Sequence, residues 1–125
     1  MAKVTGLGGV FYKVADPEKT RAWYQDMLGI GGEWGAMFPF KGDDARGYSL
    51  FSQFKADTDY FAPSAREFMV NLRVDDLDAM IAELDAKGVA ILGRQDEDYG
   101  RFAWIMDPDG LKLELWQQLG PAPDA

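Results

Sequence analysis

Two stretches of the chain repeat one arrangement of apolar and polar positions. Val14-Ala15-Asp16-Pro17 leads into a stretch ending Leu28-Gly29-Ile30, and Val74-Asp75-Asp76-Leu77 leads into one ending Lys87-Gly88-Val89. Asp16 and Asp76 stand 60 residues apart. In the second stretch Leu77, Met80, Ile81 and Leu84 recur at i, i+3, i+4 and i+7; in the first, Thr20, Trp23, Tyr24, Met27 and Leu28 do likewise. That spacing lines one face of a helix. An aspartate carboxylate accepts hydrogen bonds from first-turn N–H groups, and glycine takes the left-handed conformation that ends a helix. Pro17 fits the first helical position. Each helix is expected to lay its apolar stripe on a sheet.

The flanking segments alternate with the period of a strand. Residues 9–14 and 68–74 precede the helices, and turn residues separate the segments that follow them. In the first copy these are 34–40 and 48–54 around Lys41-Gly42-Asp43-Asp44; in the second, 90–92, 101–106 and 111–116 around Asp107-Pro108-Asp109-Gly110. The result is strand, helix, strands, repeated, an α+β domain over 1–119. Module one covers 1–56, a linker 57–66 and module two 67–119, with 120–125 a flexible tail. Within strands, Leu113 and Leu115 share one face and Lys112, Glu114 and Trp116 the other; Val70, Leu72 and Val74 oppose Met69, Asn71 and Arg73; Val10, Tyr12 and Val14 oppose Gly9, Phe11 and Lys13. Successive strand residues point to opposite faces. One face therefore belongs under the helices, and the other carries the mixed aromatic, amide and carboxylate set of a pocket wall.

Composition narrows the chemistry. The 125-residue chain contains no cysteine and no histidine. That removes disulfides, thiolate metal sites, the commonest transition-metal ligand and every Ser-His-Asp arrangement. A net charge of −8, with scattered Lys and Arg, argues against nucleic acid and favours a cationic ligand. No apolar run is long enough for a membrane span and none resembles a secretion signal, so a cytoplasmic protein is expected. Gly6-Leu7-Gly8-Gly9 precedes a strand and so is not a dinucleotide fingerprint. Asp107-Pro108-Asp109-Gly110 lacks the later acidic ligands of a calcium loop and reads as a turn.

Taken in order, Val10-Phe11-Tyr12-Lys13-Val14-Ala15-Asp16-Pro17 with Trp23-Tyr24 and Leu28-Gly29, then Val74-Asp75-Asp76-Leu77-Asp78 with Gly88-Val89, then Asp107-Pro108-Asp109-Gly110 before Glu114-Leu115, resemble the vicinal oxygen chelate superfamily of glyoxalases, bleomycin resistance proteins and dioxygenases. The resemblance implies two βαβββ modules forming a half-open barrel or cup with the helices outside. It also implies metal-ligand positions, which fall here on Gly9, Met69, Glu114 and, counted from Gly47, on Phe51; a shifted register brings Ser49 or Gln53 inward instead. One carboxylate remains of four ligands, so no metal and no other cofactor is expected.

Glu114 is the candidate catalytic acid or base, and equally a partner for a ligand ammonium, with Trp116 adding a cation–π contact. A plain salt bridge from Glu114 to Arg73, Lys112 or Arg101 is the structural alternative. The ligand-binding set expected around it is Phe11, Phe51, Gln53, Met69, Asn71, Tyr99, Arg101, Glu114 and Trp116, with Tyr99 and Arg101 closing over the ligand or lying on the surface. The leading expectation is a metal-free pocket for a small organic molecule, cationic or aromatic. The alternatives are a lyase, isomerase or dioxygenase-related enzyme working through Glu114, or a regulatory dimer with a decayed pocket. A homodimer is expected, joined through open strand edges near Trp34, Phe38 and Phe40.

Overall fold

The computed structural model describes residues 1–41 and 46–122. The expected turn at Lys41-Gly42-Asp43-Asp44 falls largely outside the described residues, as does the end of the expected tail. The element order is β1 (Val4–Val14), α1 (Pro17–Leu28), β2 (Ala36–Pro39), β3 (Tyr48–Lys55), β4 (Phe68–Val74), α2 (Leu77–Ala86), β5 (Gly93–Glu97), β6 (Gly100–Met106) and β7 (Lys112–Gln118). The strands form one sheet in the order β2-β3-β1-β4-β7-β6-β5. The two copies meet where β1 pairs antiparallel with β4. Within each copy the first strand pairs parallel with the last, β1 with β3 and β4 with β7.

The helix punctuation acts as the residues dictate. The Asp16 and Asp76 side chains accept from the backbone N–H groups of Lys19 and Ala79, and Gly29 and Gly88 take positive φ. No helix among the described residues is long and apolar enough to cross a membrane. One difference from the pattern stands out. The second copy has four strands, but its first after α2 is Gly93–Glu97, not 90–92; Val89 and Ile91 pack beneath α2 instead. The first copy has three strands among the described residues.

The face assignments of β1, β4 and β7 hold. Val74, Leu77, Ala103, Ile105 and Leu115 form a core between α2 and the sheet. On the opposite face Phe11, Phe61 and Met69 form a second core. Phe61 comes from the expected linker and is completely buried, so the segment between the modules is a packed element rather than a tether. The sheet curls about this face: β3 and β7 are separated by two strands, yet the rings of Tyr48 and Trp116 lie 5.0 Å apart. The strands thus wrap a cup with the helices outside.

Candidate functional site

Strand alternation turns Glu114 toward the cup, where it is only 2% exposed. A buried carboxylate needs its lone pairs satisfied. Three neutral donors do this. Asn71 Nδ2 donates to Oε1 at 2.7 Å, while Trp104 Nε1, at 2.9 Å, and the Tyr60 hydroxyl donate to Oε2. Asn71 and Trp104 are its direct cross-strand neighbours on β4 and β6. Tyr60 arrives from the inter-module segment. Burial and the adjacent Glu114 carboxylate push the Tyr60 phenol far above its ordinary range, so it remains a neutral donor. Hydrogen bonds to a charged group contribute about 1.5–3 kcal/mol each, so this net is a strong positional restraint.

The alternative of a salt bridge to Glu114 is not realised among the described residues, and the three basic candidates are engaged elsewhere. Arg73 donates to the Tyr48 carbonyl and to Gln118 Oε1 and stacks over Trp116 at 4.6 Å. Arg101 faces α2 and pairs with Asp78 at 3.4 Å. Lys112 donates to the Tyr60 carbonyl and lies over the Tyr60 and Trp104 rings. Burial lowers the Lys112 pKa, partly opposed by the Glu114 and Asp59 charges. Tyr60 therefore links the two charges, its hydroxyl on Glu114 and its carbonyl on Lys112.

Glu114 lines a pocket of about 870 Å³. Phe11, Phe54, Tyr60, Tyr99 and Phe102 supply its aromatic lining, together with Leu50 and Ser52. Phe54 and Tyr60 stack with centroids 5.5 Å apart, and Tyr99 meets Phe102 edge-on at 5.9 Å. Arg21, Trp34 and Lys55 also line it, and Trp34 is 73% exposed.

Of the residues singled out in the sequence, Phe11, Gln53, Tyr99 and Glu114 line this pocket. Asn71 lies behind Glu114 and holds it, Met69 is sealed in the core, and Trp116 is buried beneath Arg73, Tyr48 and Phe102. Phe51 is corrected: it lies on the helix side, stacked on Tyr12 and edge-on to Tyr24. Gln53 lines the pocket but turns its side-chain amide to that side, where Nε2 donates to the Tyr12 hydroxyl. Arg101 is likewise corrected to the helix side by its Asp78 contact. A count from a glycine in an unlike turn slips by one residue, and one residue flips a strand side chain to the other face. Strand pairing gives the right counterpart, since Phe11 pairs with Ser52 as Asn71 pairs with Glu114. Tyr60, Trp104, Ser52 and Phe102 were missed. The Tyr60-Phe61 pair in an otherwise polar linker was the one signal for the first.

In that register the metal-ligand positions implied by the resemblance fall on Gly9, Ser52, Met69 and Glu114. The β1–β4 register slips between Leu7 and Gly9, and a Cβ at Gly9 would lie 2.5 Å from the Leu50 carbonyl oxygen, so this position has no room for a side chain. Met69 is a fully buried thioether and Ser52 a neutral hydroxyl. No group of three or more His, Cys, Asp or Glu able to hold a metal occurs among the described residues. A catalytic zinc site keeps about three protein ligands. This donor set does not fit a transition metal.

Residues 6–115 match the family model described as glyoxalase/bleomycin resistance protein/dioxygenase superfamily. A Streptomyces coelicolor methylmalonyl-CoA epimerase variant in complex with 2-nitronate-propionyl-CoA superposes with a TM-score of 0.73 at 16% identity, covering 94% of this chain and 100% of that one. Methylmalonyl-CoA epimerase from Mycobacterium tuberculosis gives 0.65 at 25% identity, covering 96% and 90%. The Mn(II)-bound glyoxalase from Novosphingobium aromaticivorans gives 0.66 at 22% identity, covering 100% of this chain and 43% of that one.

Proposed function

This chain belongs to the glyoxalase/bleomycin resistance protein/dioxygenase superfamily, and we propose that it uses the family's cup as a metal-free pocket for a small aromatic molecule bearing a cationic or hydrogen-bond-donating group. The observation that carries this reading is Glu114, a buried carboxylate held by neutral donors at an aromatic-walled pocket. The aromatic lining favours a planar apolar ligand body. A carboxylate among them favours a donor or cation at one end.

The test is calorimetric titration of the wild type and Glu114→Gln with benzylammonium. The substitution is expected to cost about 1.5–3 kcal/mol of binding, the range for a hydrogen bond to a charged group. Unchanged affinity in a folded variant overturns the reading. Trp104 donates to Glu114, so its fluorescence is the optical reporter of ligand entry.

We also propose a homodimer as the working form. Trp23, Met27 and Leu28 on α1 are 53%, 64% and 61% exposed, and Phe38 on the edge strand β2 is 42% exposed. Covering such a patch with a second copy removes it from water. Light scattering is expected to give twice the chain mass, and Trp23→Ser with Met27→Ser to lower it; a monomer mass for the wild type at micromolar concentration contradicts the dimer.

A further inference from the structure

A carboxylate offers about four lone-pair positions, two on each oxygen. On Glu114, Tyr60 and Trp104 take both positions of Oε2, and Asn71 takes one of Oε1. One acceptor position is left, on Oε1. A guanidinium or amidinium binds a carboxylate as a fork, with two parallel N–H groups on the two oxygens. Oε2 has no vacancy for the second prong. An ammonium donates through a single N–H and needs only Oε1.

Resting on the pocket reading above, we propose that Tyr60, supplied by the segment between the modules, sets the ligand class by saturating Glu114 Oε2, so that the pocket takes aromatic ammonium ions in preference to aromatic amidinium ions, which lose their second prong. Tyr60 is held for this task from three directions. Its ring stacks on Phe54 at an interplanar angle of 17° and meets Trp104 edge-on at 6.1 Å. Its carbonyl accepts from the Lys112 ammonium at 2.6 Å. The adjoining Phe61 is completely buried against Phe11 and Met69, which fixes the segment. Ser52, 5% exposed and without a side-chain hydrogen bond among the described residues, lines the same pocket and supplies a hydroxyl for a further N–H of an ammonium.

Calorimetric titration with benzylammonium and benzamidinium tests this in the wild type, Tyr60→Phe, Trp104→Phe and Glu114→Gln. The wild type is expected to favour benzylammonium. Tyr60→Phe keeps the stacked ring while opening one position on Oε2, and is expected to raise benzamidinium affinity roughly ten-fold, the least that one added charge-assisted hydrogen bond gives. Benzylammonium affinity is expected to change far less. Trp104→Phe opens the other Oε2 position and is expected to shift the preference the same way, so it carries the test should Tyr60→Phe not fold. Equal wild-type affinity for the two probes, or a preference that neither variant moves, overturns the role of Tyr60 while leaving the pocket reading standing. Failure of both probes to bind, or binding that Glu114→Gln does not weaken, overturns the pocket reading and this inference with it.

Discussion

The two helices share a frame of aspartate, apolar stripe and glycine, yet they meet the sheet differently. Leu77 of α2 is completely buried, and Met80, Ile81 and Leu84 pack on Val74, Ala103, Ile105 and Leu115. No residue of α1 is buried. Tyr24 touches Phe51, and Arg21 reaches the carbonyls of Glu33 and Gln53, but Trp23, Met27 and Leu28 of the same stripe remain more than half exposed. Beneath α2 lies a copy with four strands; the copy carrying α1 has three among the described residues. Amphipathic spacing states that a helix can be covered, whereas the width of the sheet beneath it decides how much is. The first module places its apolar weight on the cup side, where Phe11 and Phe54 close on Phe61 from the inter-module segment. The same packing delivers Tyr60 to Glu114.

Substitutions that remove these two kinds of support should separate the modules most strongly. Phe61→Ala is expected to cost about 3–5 kcal/mol in urea unfolding, and Leu77→Ala about 2–5 kcal/mol, because each empties a fully buried site. Leu28→Ala, equally part of a helical stripe, is expected to change stability by about 0.5 kcal/mol or less, as exposed substitutions do. A cost for Leu28→Ala as large as that for Leu77→Ala would break the comparison.

A smaller effect sharpens it through pH. Tyr48 and Tyr60 are both raised above the usual tyrosine value, chiefly by burial. Above about pH 10 the unfolded chain releases these phenolic protons while the folded chain keeps them, so the native state binds more protons and stability falls as pH rises. Lys112 acts with the opposite sign, since its lowered folded pKa makes the native state release its proton first. Tyr60→Phe removes one of the alkaline contributions, and its stability is expected to decline less than that of the wild type between about pH 9 and 11. Parallel curves would show that Tyr60 titrates alike in the folded and unfolded chain.

Much of this architecture is written in local pattern. Asp16, Asp76, Gly29 and Gly88 bound the helices because capping is decided within a few residues, and the alternation of β1, β4 and β7 sorted the faces correctly. What was illegible depends on contacts distant in sequence. Phe51 and Arg101 carry no local mark of the face they take, because short strands flanked by turns have no fixed register until their partners are known; β3 takes its register from β1, where Ser52 faces Phe11. The salt-bridge alternative for Glu114 failed for a similar reason. Tyr60 is 54 residues away in sequence, and nothing local marks it as the donor that completes the carboxylate's shell. The burial of Phe61 is likewise a tertiary event that a polar linker conceals.

The proposed pocket engages its ligand through Glu114 and an aromatic lining without a metal ion. Its most direct test is titration of benzylammonium into protein stripped with a chelator and dialysed, compared with protein supplied with Mn²⁺ or Zn²⁺. The same affinity is expected in every sample, reduced only by Glu114→Gln. Binding that disappears on chelation and returns with the metal would contradict it.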